Sequence, residues 1–467
     1  MLYKNLDLVQ LVLWRDIVRR KILEKIAEWK RSSNGKTALL IDGARRVGKS
    51  YVAEEFAKNN YKSYLLIDFN EAGQEIKDLF EQNLRDLDPL FTFLSAVYRV
   101  KLYERESLII FDEVQLCPRA RAAIKFLVAD GRYDYIETGS LVSIRKNVKD
   151  IVIPSEERHL KMYPMDFEEF LWALGEDALW QVIKTCFEKK QPLAQALHRK
   201  AMTLFREYLI IGGMPQAVSE YLSSKDFQTV DAVKRDILSL YRNDIIKHAS
   251  GYERKVTGIF DEIPSQLSKH EKKFSLSALG KGIRSRDYES AFLWLEDSMI
   301  VNICYNSTEP NTGLKLNRDN SSMKIYMGDT GLLISHAFDE NGIVTNEIYK
   351  KLLFGKLEVN EGMLFENIVA QMLTANGHKL YFYSNAARND RTSRMEIDFL
   401  IAKSKITDRH NISPLEVKSG KNYTLSSINK FCNKFSEQLN TPVVLHTENL
   451  FKKDEVVCLP VYMAMFL

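Results

Sequence analysis

Short apolar runs, each closed by polar or turn residues, alternate with helical stretches in the first third of the chain. The runs cover residues 38–41, 64–67, 108–111 and 135–136, and their length and composition predict buried strands. Helical patterns lie between them, for example at residues 51–58 and 119–128. Strands that alternate with helices predict a parallel sheet covered on both faces, and therefore an α/β fold for this region.

The middle of the chain is predicted to be mainly helical. The helical pattern extends from Asp166 to about His248. It is interrupted by Gly-Gly-Met-Pro at residues 212–215, where glycine ends one helix and proline begins the next. A further helical block at residues 263–303 ends in a strand-like segment at residues 300–305. This region is therefore expected to differ in architecture from the sheet that precedes it.

The C-terminal part returns to a mixed pattern of helices and strands. A helix at residues 361–375 precedes predicted strands at residues 379–383, 397–401 and 415–418, a helix at 426–438 and a strand at 443–445. This order is typical of a separate α/β domain. We therefore expect three domains, which span residues 1–165, 166–345 and 346–467.

The composition is that of an ordinary globular protein, with 467 residues of which 45% are hydrophobic and 27% charged. The N-terminal segment is apolar but contains Asp7 and Asp16, so it predicts a helix and not a signal peptide. No apolar run is long enough to cross a bilayer. The five cysteines form no CxxC pair, which favours neither a disulfide framework nor a zinc site. We expect a cytoplasmic protein without membrane contacts.

A complete GxxxxGK[ST] motif lies between the first predicted strand and the helix that follows it. It consists of Gly43, Ala44, Arg45, Arg46, Val47, Gly48, Lys49 and Ser50, and the helix continues with Tyr51. The glycines of such a loop let backbone N–H groups surround phosphates at the helix N-terminus. We expect these residues to bind ATP, with Lys49 on the β- and γ-phosphates and the Ser50 hydroxyl on Mg²⁺. A glycine turn with a chance lysine is the alternative, and the strand–loop–helix context argues against it.

Two adjacent acids close the predicted strand at residues 108–111. Asp112 is expected to hold Mg²⁺ through water, and Glu113 is expected to orient and deprotonate the attacking water. The next strand runs into Thr138 and Ser140, where a polar side chain would contact the γ-phosphate or the water; a helix-capping turn is the alternative. These residues predict the branch of P-loop ATPases that has a catalytic carboxylate beside the metal-binding one.

A resemblance to a known family accompanies these motifs. The chain resembles the AAA-type ATPase family of archaea and bacteria that carries a long C-terminal extension. The resemblance lies in four segments, GARRVGKS, IIFDEVQ, ETGS and YPMDFEEFL. The resemblance covers about residues 15–175 and, through the segments described below, most of the remainder. It implies ATP hydrolysis and an arginine that senses the γ-phosphate, often from a neighbouring subunit of a homo-oligomer. Arg158 is the candidate, with an ordinary surface arginine as the alternative.

Basic residues cluster between Lys269 and Arg286, with six Lys or Arg against the single acid Glu271. The pattern of residues 275–301 predicts a helix, a turn and a second helix, with Ser285 as the N-cap of the second helix. Four of its apolar side chains are expected to be buried: Ala291, Leu293, Trp294 and Leu295. A strand follows, so the pattern indicates a winged helix, which the resembled family also carries.

Three basic side chains of this predicted winged helix would then contact DNA phosphates or bases: Lys281, Arg284 and Arg286. The alternative is a structural winged helix with a solvated basic edge. DNA is therefore the predicted macromolecular partner.

Charged residues of the C-terminal part resemble the PD-(D/E)XK nuclease fold in their order. Glu366 lies on a predicted helix, Asp398 enters one strand, and Glu416 and Lys418 share one face of the next, because strand side chains alternate. We expect Asp398 and Glu416 to hold one or two Mg²⁺ ions, with Glu366 as an outer acid and Lys418 positioning the attacking water. The alternative is an inherited nuclease fold without chemistry, whose charges form a solvated ion cluster.

Together, these patterns predict an ATP-hydrolysing AAA-type protein that acts on DNA, with metal-dependent nuclease activity as a further candidate activity. One alternative is a nucleotide-gated regulatory switch that turns over rarely and whose C-terminal domain only recognises DNA or a partner. Another is a scaffold for a mobile-element or defence complex. ATP turnover measured with and without DNA separates an enzyme from a switch.

Overall fold

The computed structural model describes residues 19–82, 86–140, 155–269, 272–280, 282–311, 313–338, 346–353, 360–385, 394–402, 411–420 and 422–467. This part of the chain forms two compact units. The first comprises Arg20–Tyr163 with the short segment Asp297–Met299, and the second is built from Pro164–Glu296 and Ile300–Leu467. The N-terminal segment predicted to be helical lies outside the described residues as far as residue 18. The division into three domains stays a prediction.

The first unit alternates helices and strands. Its elements are α1 (Ile22–Ser33), β1 (Ala38–Gly43), α2 (Lys49–Asn60), β2 (Ser63–Asp68), α3 (Gln74–Gln82), α4 (Asp88–Tyr98), β3 (Ser107–Asp112), α5 (Pro118–Asp130), β4 (Asp134–Gly139) and β5 (Glu157–Met162). The strands form one sheet in the order β2-β3-β4-β1-β5, and all neighbouring strands are parallel. This confirms the predicted α/β fold with a parallel sheet.

Burial along the strands explains why the apolar pattern found most of this sheet. Strands β1, β3 and β4 are buried at every position, as expected for central strands covered on both faces. Strand β5 is not predicted by the pattern, because it is an edge strand with the polar residues Arg158, His159 and Lys161. Strand β4 lies between β1 and β3, so the carboxyl ends of these three strands meet at one edge of the sheet.

The second unit begins with helices in the region predicted to be helical. They are α6 (Phe167–Ala173), α7 (Asp177–Lys189), α8 (Gln195–Ile211), α9 (Pro215–Ser224), α10 (Phe227–His248) and α11 (Glu253–Ser268). Gly212, with a φ of 83°, ends α8, and Pro215 occupies the first turn of α9, as the Gly-Gly-Met-Pro pattern predicts. The Gly213 N–H between them donates to the Asp329 carboxylate at 2.5 Å.

The segment after α11 differs from the predicted helix–turn–helix. Between α11 and α12 (Glu289–Asp297), the described residues form only short 3₁₀ turns, Leu276–Ala278 and Ser285–Asp287, because Gly280 and Gly282 adopt positive φ and interrupt a helix there. Ser285 therefore does not cap α12. The burial prediction is also wrong at one position, since Leu293 is 47% exposed and the neighbouring Phe292 is buried instead.

Two sheets and further helices complete the second unit. Its remaining elements are β6 (Val301–Ser307), β7 (Arg318–Met327), α13 (Thr330–Ala337), α14 (Asn346–Leu353), α15 (Glu361–Ala375), β8 (Tyr381–Asn385), β9 (Met395–Ile397), β10 (Phe399–Ala402), β11 (Ile412–Val417), α16 (Ser426–Lys434), β12 (Val443–His446), β13 (Phe451–Lys453) and β14 (Val456–Pro460). One sheet has the order β7-β6-β8-β9 and the other β10-β11-β12-β14-β13. The strand predicted at residues 397–401 is split at Asp398, because β9 pairs with β8 and β10 pairs with β11.

Candidate functional site

The loop between β1 and α2 has the backbone geometry of an anion-binding loop. A Cβ atom at Gly43 would lie 2.4 Å from the carbonyl oxygen of Met162 on β5, so only glycine is accommodated there. Arg46 and Gly48 adopt positive φ, at 71° and 96°, and Gly48 directly precedes α2. Left-handed residues in such a turn allow successive backbone N–H groups to face an anion. The loop is therefore suited to bind phosphate at the helix N-terminus.

Lys49 is held over this loop by backbone carbonyls. Its Nζ donates to the oxygens of Gly43 and Ala44, each at 3.0 Å. Burial lowers the pKa of Lys49, while the nearby Glu113 and Asp112 act in the opposite direction. The ammonium is thus positioned beside the loop and close to the two acids that end β3.

Hydroxyl groups from two elements converge on Asp112 at the end of β3. Ser50 Oγ donates to Asp112 Oδ1 at 2.7 Å, and the Thr138 hydroxyl at the end of β4 donates to the same oxygen. A hydroxyl and a carboxylate are ligands that Mg²⁺ accepts, since it is usually bound by one or two protein groups together with substrate phosphates. Ser50 and Asp112 therefore fit a Mg²⁺ ion that accompanies a triphosphate.

Glu113 is fixed by two neighbours. Its backbone has a φ of 52°, and its N–H donates to Thr138 Oγ1 at 3.4 Å. The Gln115 side-chain amide donates to Glu113 Oε2. Sequence reasoning missed Gln115, although its position two residues after Glu113 in the IIFDEVQ segment is a local signal. The carboxylate of Glu113 is therefore held beside Asp112 and Lys49.

The other loop residues differ in exposure. Arg45 and Arg46 are exposed, whereas Ala44 and Val47 are buried and Tyr51 is half-buried in the first turn of α2. The buried Arg20 donates from Nη1 to the Val47 carbonyl at 2.9 Å and from Nη2 to the Tyr163 carbonyl at 2.7 Å. Arg20 thus stabilises the loop from behind, and no sequence motif pointed to it.

Arg158 lies at the opposite end of the sheet from this loop. In the parallel register of β1 and β5, Arg158 pairs with Leu39, whereas Gly43 pairs with Met162. Its Nη1 donates to Ser32 Oγ at 2.9 Å. Arg158 is therefore not brought to the phosphate loop of its own chain, and its predicted sensing role in a neighbouring subunit stays a prediction.

The four charged side chains predicted for the C-terminal site line one cleft of about 550 Å³. Glu366 lies on α15, Asp398 between β9 and β10, Glu416 on β11, and Lys418 directly after β11. Four further charged residues line the same cleft: Lys272, Lys273, Arg394 and Glu396. The structure thus brings together residues that are far apart in sequence.

Two of these acids have close neighbours at the carboxyl end of β11. Lys418 Nζ lies 2.8 Å from Glu416 Oε2, and the Val417 N–H donates to Asp398 Oδ2 at 2.9 Å. Burial raises the pKa of Glu416 to about 7, against the opposing effect of Lys418. The ion pair follows from strand alternation, since Glu416 and Lys418 are two positions apart.

Lys324 on β7 is a further cation in this region, and sequence reasoning missed it. Its Nζ lies 2.7 Å from Glu396 Oε1, 3.7 Å from Asp398 Oδ1 and 3.8 Å from Glu366 Oε2. Burial lowers the pKa of Lys324, but the three carboxylates outweigh this effect and raise it above the ordinary value. In the described part of the chain, no group of three or more His, Cys, Asp or Glu side chains is arranged to hold a metal ion.

The basic segment before α12 is partly described. Arg284 and Arg286 are exposed, and Arg286 Nε lies 3.8 Å from Asp287 Oδ1. Lys281 lies outside the described residues. Beyond α12, β6 and β7 form an antiparallel hairpin. Every helix of the described residues is too short or too polar to span a bilayer.

Comparison with known protein families identifies the first part of the chain. Residues 35–171 match the family model described as an AAA domain. Residues 202–341 and 361–463 match two models that are each described as a domain of unknown function, DUF8612 and DUF4143. No curated protein matches the chain. Residues 35–171 are therefore similar to an AAA domain, and the other two matches name no activity.

The solved structures that match the chain have low structural similarity to it. PCH-2 of C. elegans is 14% identical, with 47% of this chain and 67% of that chain covered and a TM-score of 0.27. The ORC1 protein of Aeropyrum pernix in complex with DNA is 12% identical, with 69% and 92% covered and a TM-score of 0.23. Cdc6p of Pyrobaculum aerophilum is 11% identical, with 73% and 97% covered and a TM-score of 0.23. At TM-scores this low, these likenesses do not indicate what this chain binds.

Proposed function

We propose that the protein hydrolyses ATP at the edge of the first sheet and uses this reaction to act on DNA. The ATPase part rests on one observation, the 2.7 Å contact between Ser50 Oγ and Asp112 Oδ1 beside the glycine loop, with Glu113 next in the chain. A P-loop serine and an acid at the end of a strand form the metal-binding pair of such enzymes. The arrangement supports a Mg–triphosphate site with an adjacent base.

Each of these residues has a distinct role in the proposed reaction. Mg²⁺, when bound, supplies positive charge to the β- and γ-phosphates. Lys49 binds the same phosphates by exchanging its contacts with the Gly43 and Ala44 carbonyls for phosphate oxygens. Glu113 accepts the proton of the attacking water at its carboxylate. Thr138 and Gln115 keep the side chains of Asp112 and Glu113 in position for these steps.

Steady-state ATP turnover of matched variants tests the proposal. Glu113→Gln should lower kcat by about 10²–10⁴-fold and leave ATP binding intact, because only the base is lost. Lys49→Ala should weaken ATP binding as well. Glu106→Gln is the control, since the Glu106 side chain is 58% exposed and pairs with the surface Lys62 at 3.2 Å. Unchanged turnover in Glu113→Gln would contradict the assignment of the base.

The DNA part of the proposal rests on the exposed basic residues before α12. Arg284 and Arg286 lie shortly before α12, and the β6–β7 hairpin follows α12 as a wing would, although 3₁₀ turns stand where a winged helix has its preceding helix. Exposed arginines at the start of such a helix are suited to contact phosphates or base edges. We therefore assign DNA binding to this segment, with a solvated structural edge as the alternative.

Charge reversal separates these two possibilities. Arg284→Glu with Arg286→Glu should lower DNA affinity and reduce the slope of log affinity against log salt by about 0.9 for each phosphate that the variant no longer neutralises. Lys189→Glu with Lys190→Glu is the control, because it reverses two exposed charges at the end of α7. An equal loss of DNA affinity in both double variants would indicate nonspecific electrostatic binding. Arg284 and Arg286 would then belong to the solvated edge of a structural element.

The same measurements distinguish an enzyme from a nucleotide-gated switch. An enzyme that acts on DNA should turn over ATP steadily, and DNA should change the rate. Negligible turnover with tight retention of the nucleotide would favour the switch. We do not assign metal-dependent cleavage to the C-terminal cleft, because Lys324 already supplies a cation among its acids.

A further inference from the structure

A cation beside the acids of the C-terminal cleft belongs to the protein itself. Lys324 is 1% exposed, and its ammonium lies within ion-pair distance of Glu366, Glu396 and Asp398. Its backbone lies on the edge strand β7, where Lys324 pairs with Cys304 on β6. Its Nζ also lies 5.1 Å from the centre of the buried Phe382 ring. The side chain is therefore held in place by packing as well as by charge.

The carboxylate oxygens around this ammonium have other partners. Glu366 accepts a hydrogen bond from Lys272 and another from the Tyr326 hydroxyl, the latter at 3.1 Å. Asp398 Oδ2 accepts a hydrogen bond from the Val417 N–H, and Asp398 Oδ1 forms an ion pair with Lys324. A divalent ion would have to displace these donors to reach the oxygens. Glu366 and Asp398 thus already have partners without a metal.

The charge balance of the cleft leads to the same conclusion. Among the described residues, its lining contains four acids, Glu366, Glu396, Asp398 and Glu416, and four bases, Lys272, Lys273, Arg394 and Lys418. Lys324 adds a fifth base, so the formal charge is +1 when all of these groups are ionised. Carboxylate sites attract Mg²⁺ or Mn²⁺ because they hold uncompensated negative charge, and the residues of this cleft that the structure describes hold no net negative charge.

We infer that the Lys324 ammonium occupies the position of a divalent cation between Glu366, Glu396 and Asp398, so that the C-terminal cleft excludes metal ions. The inference does not depend on the proposed ATP hydrolysis, which uses the first unit. Glu416 is the place where a residual metal ligand would be sought, since its carboxylate is buried and its ion pair with Lys418 involves Oε2. Its replacement therefore belongs in the test.

Terbium luminescence of the full-length, nucleotide-free protein tests the wild-type cleft. Tyr326 donates to Glu366, so an ion bound among these acids would be sensitised by this ring. Wild type, Asp398→Asn and Glu416→Gln should give the same signal, because ions bound elsewhere contribute equally to all three. A wild-type signal larger by one ion per chain would overturn the inference. Mn²⁺-dependent DNA cleavage by wild type that disappears in Asp398→Ala would overturn it too.

Removal of the ammonium should create the site that it now fills. Lys324→Ala should gain one terbium or Mn²⁺ ion per chain, and adding Asp398→Asn to that variant should abolish the gain. At a cation concentration of about 100 times the Kd, the ion should shift the unfolding equilibrium about 100-fold towards the folded state. Lys315→Ala is the control, since Lys315 is exposed in the connection between β6 and β7. This variant should gain no ion.

A second variant covers the case in which Lys324→Ala does not fold. Lys324→Gln retains most of the side-chain volume and some hydrogen bonding while it removes the charge, and it should gain the same ion. Failure of every folded Lys324 variant to bind a cation would overturn the inference. The wild-type comparison with Asp398→Asn remains decisive if neither variant folds.

Discussion

Thr138 illustrates how single residues complete the proposed ATPase site. Its hydroxyl donates to Asp112 and accepts from the Glu113 N–H at 3.4 Å, so it contacts both residues that end β3. The sequence pattern treats Thr138 and Ser140 alike, as polar residues after a buried strand. The two residues differ in their contacts because the parallel register pairs Thr138 with Ile41 of β1.

We expect Thr138→Val to lower kcat for ATP by about 10–100-fold, because a hydrogen bond to a charged group contributes about 1.5–3 kcal/mol. The substitution preserves shape and removes only the hydroxyl. Ser140→Ala should remain near the wild-type rate. Steady-state kinetics of both variants check this, and a larger loss in Ser140→Ala would contradict the geometry.

Gly43 provides a second test at the residue scale. Gly43→Ala would bring a Cβ to 2.4 Å from the Met162 carbonyl oxygen, so the backbone of β1 or β5 must move. Overpacking of this kind costs about 1–3 kcal/mol, and we expect both ATP affinity and melting temperature to fall. Gly73→Ala is the matched control, because an added Cβ there meets nothing within 4 Å. Equal behaviour of the two variants in a thermal melt with and without ATP would disprove the close approach.

At the scale of elements, helix ends need partners for their free carbonyls. The buried Lys234 on α10 donates to the Ile210 carbonyl in the last turn of α8 at 2.9 Å. Burial lowers its pKa to about 8, against the opposing effects of Asp231 and Asp329. Lys234 therefore joins two helices at the cost of burying a charge.

This lowered pKa predicts a pH dependence of stability. An unfolded lysine titrates near 10.5 and the folded one near 8, so between these values the unfolded chain binds more protons. The free energy of unfolding should therefore rise as pH increases through this window, by on the order of 1–3 kcal/mol. Chemical denaturation of wild type and Lys234→Met across the window measures the effect.

Lys234→Met should lack this rise, whereas the exposed Lys189→Met should keep it. Because other groups titrate in the same range, the difference between the variants is the informative quantity. An identical pH profile in wild type and Lys234→Met would rule out the buried charge as its source.

At the scale of the whole molecule, the chain forms two compact units, and the glycine loop, Asp112 and Thr138 belong to the first. ATP with Mg²⁺ should stabilise the folded protein, because a ligand that binds only the folded state adds about 2.7 kcal/mol at about 100 times its Kd. Hydrogen exchange should locate the added protection in the first unit. Lys49→Ala should lose both the stabilisation and the protection in the same experiment.

Much of the nucleotide site and of the first sheet could be predicted from local sequence patterns. The loop from Gly43 to Ser50 and the acids at the end of β3 are consecutive residues, so their type and spacing predict a nucleotide site before any fold is known. The central strands were predictable because they are buried at every position. The edge strand β5 and the segment that contains Gly280 and Gly282 were not, since polar edges and glycine turns override the apolar pattern.

The amino-acid sequence by itself determined the α/β character of the first unit and the chemistry of its loop, because both depend on neighbours in the chain. Tertiary structure alone decided which distant side chains meet: Arg20 behind the loop, Thr138 on Asp112, and Lys324 among the acids of the C-terminal cleft. The acids were recognisable from their spacing, but the charge around them was not. An ion pair depends on distance in space, and Lys324 reaches Asp398 only because strands from different parts of the chain pack together.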